Sequence, residues 1–137
     1  MTYRFTARFA CGLDDPDTDD CVLAGVAESN GEDGFSLLFM CDFDEPDEQE
    51  VSLGMDTHCL VTSDQGTAYG CVRELGWVRR RVARFFGSCV VGRTRLTDPV
   101  IEAVLRAPAV DLARMREVLP RVLAYGRADA RPGRIVM

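Results

Sequence analysis

The chain has 137 residues, 47% of them apolar, and a formal net charge of −6. That length suits one domain with a single core, and the apolar fraction excludes an intrinsically disordered chain. All 16 basic residues are arginine, which excludes Schiff-base and P-loop lysine chemistry. The charge is polarised. Residues 1–72 carry 16 acids against Arg4 and Arg8 (−14), residues 73–137 carry 14 arginines against 6 acids (+8), and the two sum to −6. Opposite charges within one chain neutralise each other in part, so neither nucleic acid nor a membrane is the expected partner.

The opening MTYRFTARFACGL has no long apolar run behind a basic start, and no stretch approaches a membrane span. The expected compartment is the cytoplasm. Six cysteines (Cys11, Cys21, Cys41, Cys59, Cys71, Cys89) then read as reduced thiols, and the absence of any CxxC argues against a zinc ribbon. No cofactor is implied.

Tyr3 to Ala10 alternates aromatic and polar residues and predicts a first strand. The loop GLDDPDTDD follows, with Asp15, Asp17 and Asp19 at the odd spacing of a calcium loop. Asp20 stands where such a loop needs Gly, and Val26 where it needs the closing Glu, so the reading is a solvated acidic turn. Cys21 to Ala27 predicts a second strand. Phe35 to Asp42 predicts a third, apolar on both faces and so covered on both. Asp42 to Glu50, DFDEPDEQE, packs six acids into nine residues around Pro46. Pro46 and self-repulsion predict an exposed loop, either a solubilising one or an acidic surface offered to a basic partner.

Leu53 to Leu75 predicts a central β-hairpin turning at Ser63-Asp64-Gln65-Gly66, with Cys59 opposite Cys71 and both packed as small core residues. His58 and Cys59, as strand neighbours, point to opposite faces, which argues against a Cys/His nucleophile pair. His58 is expected to be half-exposed. From Gly76 to Arg95 the spacing of Val78, Val82, Phe85, Phe86 and Cys89 predicts a basic amphipathic helix. Asp98-Pro99 predicts the start of another helix, with Val100, Ile101, Val104 and Leu105 as its stripe. Asp111 caps the last, which buries Leu112, Met115, Leu119, Val122 and Leu123 and is kinked at Pro120 before Tyr125-Gly126 stops it.

These elements make one α+β domain over residues 1–127, with a mostly antiparallel sheet, a central hairpin and two C-terminal helices. A tail follows over 128–137, loose apart from Ile135-Val136. No Gly-rich phosphate loop, HExxH or GxSxG occurs, so the chain reads as a binding module rather than an enzyme. A small cytoplasmic enzyme using His58 and a thiol is the runner-up.

Three pieces carry a resemblance: GFSLLFMCDFDEPDEQEVSLGMDTHCLV, TAYGCV and VDLARMREVLPRVLAYGR. Their order resembles the immunity protein 10 family of bacterial polymorphic toxin systems, over residues 2–75 and 97–127. His58 stands where that family has Tyr, and Cys71 where it has a second Gly. Residues 77–95 also depart from it, because the resemblance implies an alternating strand and a short helix there. A replaced interior between intact flanks is what two compensating frameshifts leave, which the coding DNA read in its neighbouring frames would show. The resemblance implies a cytoplasmic protein that binds and neutralises a cognate toxin domain, with no catalytic or metal-ligating residues. Asp42, Asp44, Glu45, Asp47, Glu48 and Glu50 are the expected toxin-binding residues. The acids of Asp14 to Asp20 are a second contributor.

Overall fold

The computed structural model describes residues 2–29, 34–53, 55–62, 67–69, 72–79, 82–87, 90–91, 94–95, 100–126, 132 and 134–136. The predicted first strand is two. Strand β1 (Thr2–Ala7) ends before Arg8, and the chain continues as β2 (Phe9–Leu13) in a different sheet. The Arg8 amide marks the change of sheet by donating to the Ala27 carbonyl at 2.8 Å.

The second sheet is an antiparallel meander of β2, β3 (Val22–Ala27), β4 (Ser36–Cys41), β5 (Cys59–Thr62) and β6 (Thr67–Tyr69). Its inner face follows the sequence alternation: Val22, Ala24, Val26, Leu37, Phe39 and Leu60 are buried. The first sheet has the order β1, β11 (Val100–Leu105), β8 (Val82–Gly87), β7 (Val72–Arg79) and β12 (Arg134–Val136). Its two outer pairings, β1 with β11 and β12 with β7, are parallel. Strands β9 (Val90–Val91) and β10 (Thr94–Arg95) pair with each other.

Helix α2 (Ala109–Leu123) packs on β2, β3 and β4 and buries Met115, Val118, Leu119, Val122 and Leu123. Leu112 packs at the edge of the same core. Gly12 lets the helix approach, since a Cβ there would overlap the Arg114 carbonyl. Both sheets share the core, and the Phe5 and Phe35 rings meet edge-on at 4.9 Å.

Four expectations are corrected. Residues 100–105 form a strand, not a helix, so one C-terminal helix of substance remains. The described parts of 76–95 are strands, not an amphipathic helix. The acidic stretch is not only loop, because its end forms α1 (Glu48–Ser52). Strand β5 sets Cys59 opposite Tyr69 rather than Cys71, and Leu60 rather than Cys59 faces the core. Cys71, Cys89 and the expected turn at 63–66 lie outside the described residues, as does the cap at Asp98-Pro99.

In β11, Ile101, Ala103 and Leu105 face the core and Glu102 the other side. Glu102 is 3% exposed yet charged, because Arg4 and Arg84 on the flanking strands clamp its carboxylate. Arg4 donates to Oε2 at 3.0 and 2.7 Å, and Arg84 to Oε1 at 2.9 and 2.5 Å. The Arg84 bonds, then those from Arg4, hold the carboxyl below the usual 4.5. A lowered folded pKa gives stability that is present above the unfolded value and lost as pH falls through the folded one. Glu102→Gln should therefore flatten the loss of thermal stability from about pH 5 downward. Melting curves that keep the wild-type acid slope would count against the clamp.

Candidate functional site

The acidic stretch begins where β4 ends. Asp42, Asp44, Glu45, Asp47 and Glu48 are exposed and Glu50 is partly so. Part of the stretch has a local structural role. The Asp47 side chain caps α1 by accepting the Glu50 amide at 2.8 Å, and the Glu50 carboxylate accepts the Asp47 amide at 3.5 Å. Asp42 accepts the Phe43 amide at 2.9 Å. Residues beyond the cap project apolar side chains, with Val51 55% and Leu53 63% exposed.

Tyr125, just beyond α2, ties this loop to the body. Its hydroxyl donates to the Asp44 carbonyl at 2.9 Å. Burial, then the negative charges of Glu50, Asp42 and Asp44, push its pKa up to about 12, so it stays a donor at neutral pH. Two hollows flank Tyr125. One, of about 410 Å³, lies between the acidic loop, Arg121 and Gly126. The other, of about 280 Å³, is lined by Asp20, Met40, Asp42, Glu50, Met55 and Cys59 among others. Gly126 has φ +77°, and its backbone bridges Thr57 where a side chain would overlap the Asp56 carbonyl.

Among the described residues, no arginine forms an ion pair with Asp42, Asp44, Glu45, Asp47, Glu48 or Glu50. Arg121 stacks over Phe43 at 5.9 Å and pairs with Asp14 at 3.6 Å. Arg114 also pairs with Asp14, so this acid is engaged internally. In the following turn, the Asp15 amide bonds the Asp19 carboxylate at 2.8 Å and the Asp17 amide bonds the Asp15 carboxylate at 3.0 Å. No group of three or more His, Cys, Asp or Glu among the described residues is placed to hold a metal.

His58, expected half-exposed, is 0% exposed; Asp56 and Thr57 before it are buried as well. A fully buried imidazole is closed to a substrate in solution. Cys59 is half-buried on the other side of the strand. Cys11, Cys21, Cys41 and Cys59 are in no disulfide. Burial pushes the Cys11 and Cys21 thiols up and Cys41 up to about 11, so these three are protonated and weak nucleophiles at neutral pH.

The outer face of the second sheet was not singled out from the sequence. Its register rows run Leu13, Leu23, Met40, Cys59, Tyr69 and then Cys11, Gly25, Leu38, Val61, Thr67. A third row holds Phe9, Ala27 and Ser36, and no position in the three carries a charge. Phe9 is 42% and Leu13 41% exposed. The signal lay in the two-sided apolar pattern of β3 and β4.

Taken together, the chain is an α+β domain of two mixed or antiparallel sheets and one long helix. It presents an exposed acidic edge, unpaired with arginine among the described residues, beside an apolar sheet face. A profile of the immunity protein 10 family matches residues 6–113, and the chain belongs to that family. Searches of curated proteins and of solved structures found no match.

Proposed function

We propose that the protein is a cytoplasmic immunity protein of a bacterial polymorphic toxin system, which binds its cognate toxin domain and protects the producing cell. It works by occupying a surface rather than by catalysis. Family membership supports a toxin partner. The observation that carries the site is the acidic edge at residues 42–50, exposed and unpaired with arginine among the described residues. Holding so many carboxylates together without partners costs free energy through mutual repulsion, which a basic cleft on a partner relieves. Asp42, Asp44, Glu45, Asp47, Glu48 and Glu50 are the toxin-binding residues. Many toxins that cut nucleic acids or their precursors present basic clefts, and an anionic surface both blocks such a cleft and speeds encounter.

The direct experiment titrates the purified chain into the toxin domain encoded beside its gene. Toxin activity should fall to zero at one equivalent, with a complex seen on size exclusion. Undiminished toxin activity at a tenfold excess of the chain would overturn the reading. The enzymatic alternative gains no support from a His58 that solvent does not reach.

A further inference from the structure

An antiparallel sheet packed on one side normally alternates apolar inward and polar outward. The second sheet does not. Its inner face is covered by α2 and the shared core, while its outer rows contain no charged position. The β2 end of that face is open to solvent, as the exposure of Phe9 and Leu13 shows. Leu23, Leu38, Met40 and Val61 are partly exposed beside them. The Leu38 side chain lies across Gly25, where a Cβ would meet its Cδ2, so the surface there is low and smooth. Apolar faces of this kind mark interaction surfaces on proteins that otherwise alternate.

What covers the face is indicated by charge. Its Met40–Cys59 row reaches the smaller hollow, whose lining includes the carboxylates of Asp20, Asp42 and Glu50. Among the described residues, none of these three carboxylates forms an ion pair with an arginine. A second copy of the chain, net charge −6, would bring a like-charged rim to the same contact. The anionic surface of a bilayer repels such a rim as well. An apolar patch bordered by basic side chains satisfies both halves of the surface.

We propose that the toxin-facing surface continues from the acidic edge onto this sheet face. Phe9, Leu13, Leu23, Leu38 and Met40 form the apolar centre that seats an apolar patch bordered by arginine or lysine on the toxin domain. The inference rests on the toxin-neutralising reading and adds to it the part of the surface that slows dissociation. The acids steer and the apolar centre holds, as in interfaces whose binding energy concentrates in a buried centre within a polar rim.

The test measures binding of the adjacent toxin domain to wild type, to Leu13→Asp and to Phe9→Ser/Leu13→Ser, with melting temperatures of all three. The expected result is a rise of at least about tenfold in Kd, mostly through faster dissociation, with unchanged melting. Oxidation of Met40 by peroxide, followed on the wild-type chain by mass spectrometry, gives a readout that needs no variant. It should be suppressed in the complex. Binding and Met40 oxidation that are both unaffected would overturn the sheet-face assignment while leaving the toxin reading intact. A wild type that sediments as a dimer and a Leu13→Asp variant that sediments as a monomer would assign the face to a second copy and also overturn it. A wild type that does not bind the toxin domain at all removes the toxin reading, and this inference with it.

Discussion

Leu119→Ala should lower the unfolding free energy by about 2–5 kcal/mol, the usual cost of truncating a fully buried leucine. Leu119 is 0% exposed and stands on the face of α2 that also buries Met115, Val122 and Leu123. The helix packs on β2, β3 and β4, and Gly12 brings its backbone against the sheet. So close an approach leaves little room for the surroundings to collapse into the cavity, which places the effect in the upper part of that range. Denaturant titration with an unchanged m-value is the measurement. A variant that unfolds with the wild type would mean that α2 is not docked on the meander. Tyr125 and Gly126 follow the helix directly, so the same variant should also loosen the anchor on Asp44.

The helix face was legible because its apolar residues recur at i, i+3 and i+4 and no other period fits them. Strands β3 and β4 were legible from short apolar runs bounded by turn residues. The hairpin of β7 and β8 was not. Val78, Val82, Phe85 and Phe86 happen to fall at helical spacing, and the sequence Arg79-Arg80-Arg81 among them holds no Gly, Asn, Asp or Pro to signal a turn. Their β-branched and aromatic content was the better guide. Strand β11 was missed for a different reason. Asp98-Pro99 and the stripe of Val100, Ile101, Val104 and Leu105 read locally as a helix. The parallel partner β1, at the other end of the chain, overrides that preference, and with it comes the Arg4 half of the Glu102 clamp.

At the site, the sequence located the acidic stretch but not what holds it. The Tyr125 hydroxyl on the Asp44 carbonyl does not follow from composition, because it depends on where the chain returns after α2. The capping role of Asp47 was within reach, since Asp47 and Glu50 have the i, i+3 spacing of a capping box, but the acid run and Pro46 read as loop. Burial of His58 was also illegible. Alternation alone placed it on a half-exposed strand, whereas the strand begins only at Cys59 and the preceding residues bridge to Gly126. The apolar pattern on both sides of β4 predicted cover on both faces. Among the described residues the inner face is fully buried, whereas Leu38 and Met40 on the other face stay partly exposed.

The second large effect concerns encounter with the partner. Changing Asp44, Glu45, Asp47, Glu48 and Glu50 together to Asn or Gln removes five negative charges and keeps every side-chain shape. Asn at position 47 still caps α1, and Gln at position 50 still completes the reciprocal bond, so the fold should tolerate the change. The acids lack arginine partners among the described residues, so their loss removes repulsion rather than attraction from the folded state. Melting should stay the same or rise slightly. Association with a basic partner should slow by about tenfold or more at low salt, since steering by fields of this kind carries factors of that size. The deciding measurement is the association rate of wild type and this five-fold variant with the adjacent toxin domain, across a salt series by stopped flow. A slower variant with a flatter salt dependence is the predicted result. An unchanged association rate and salt slope, with a lowered melting temperature, would show that the acids serve the fold and contradict the toxin-facing assignment.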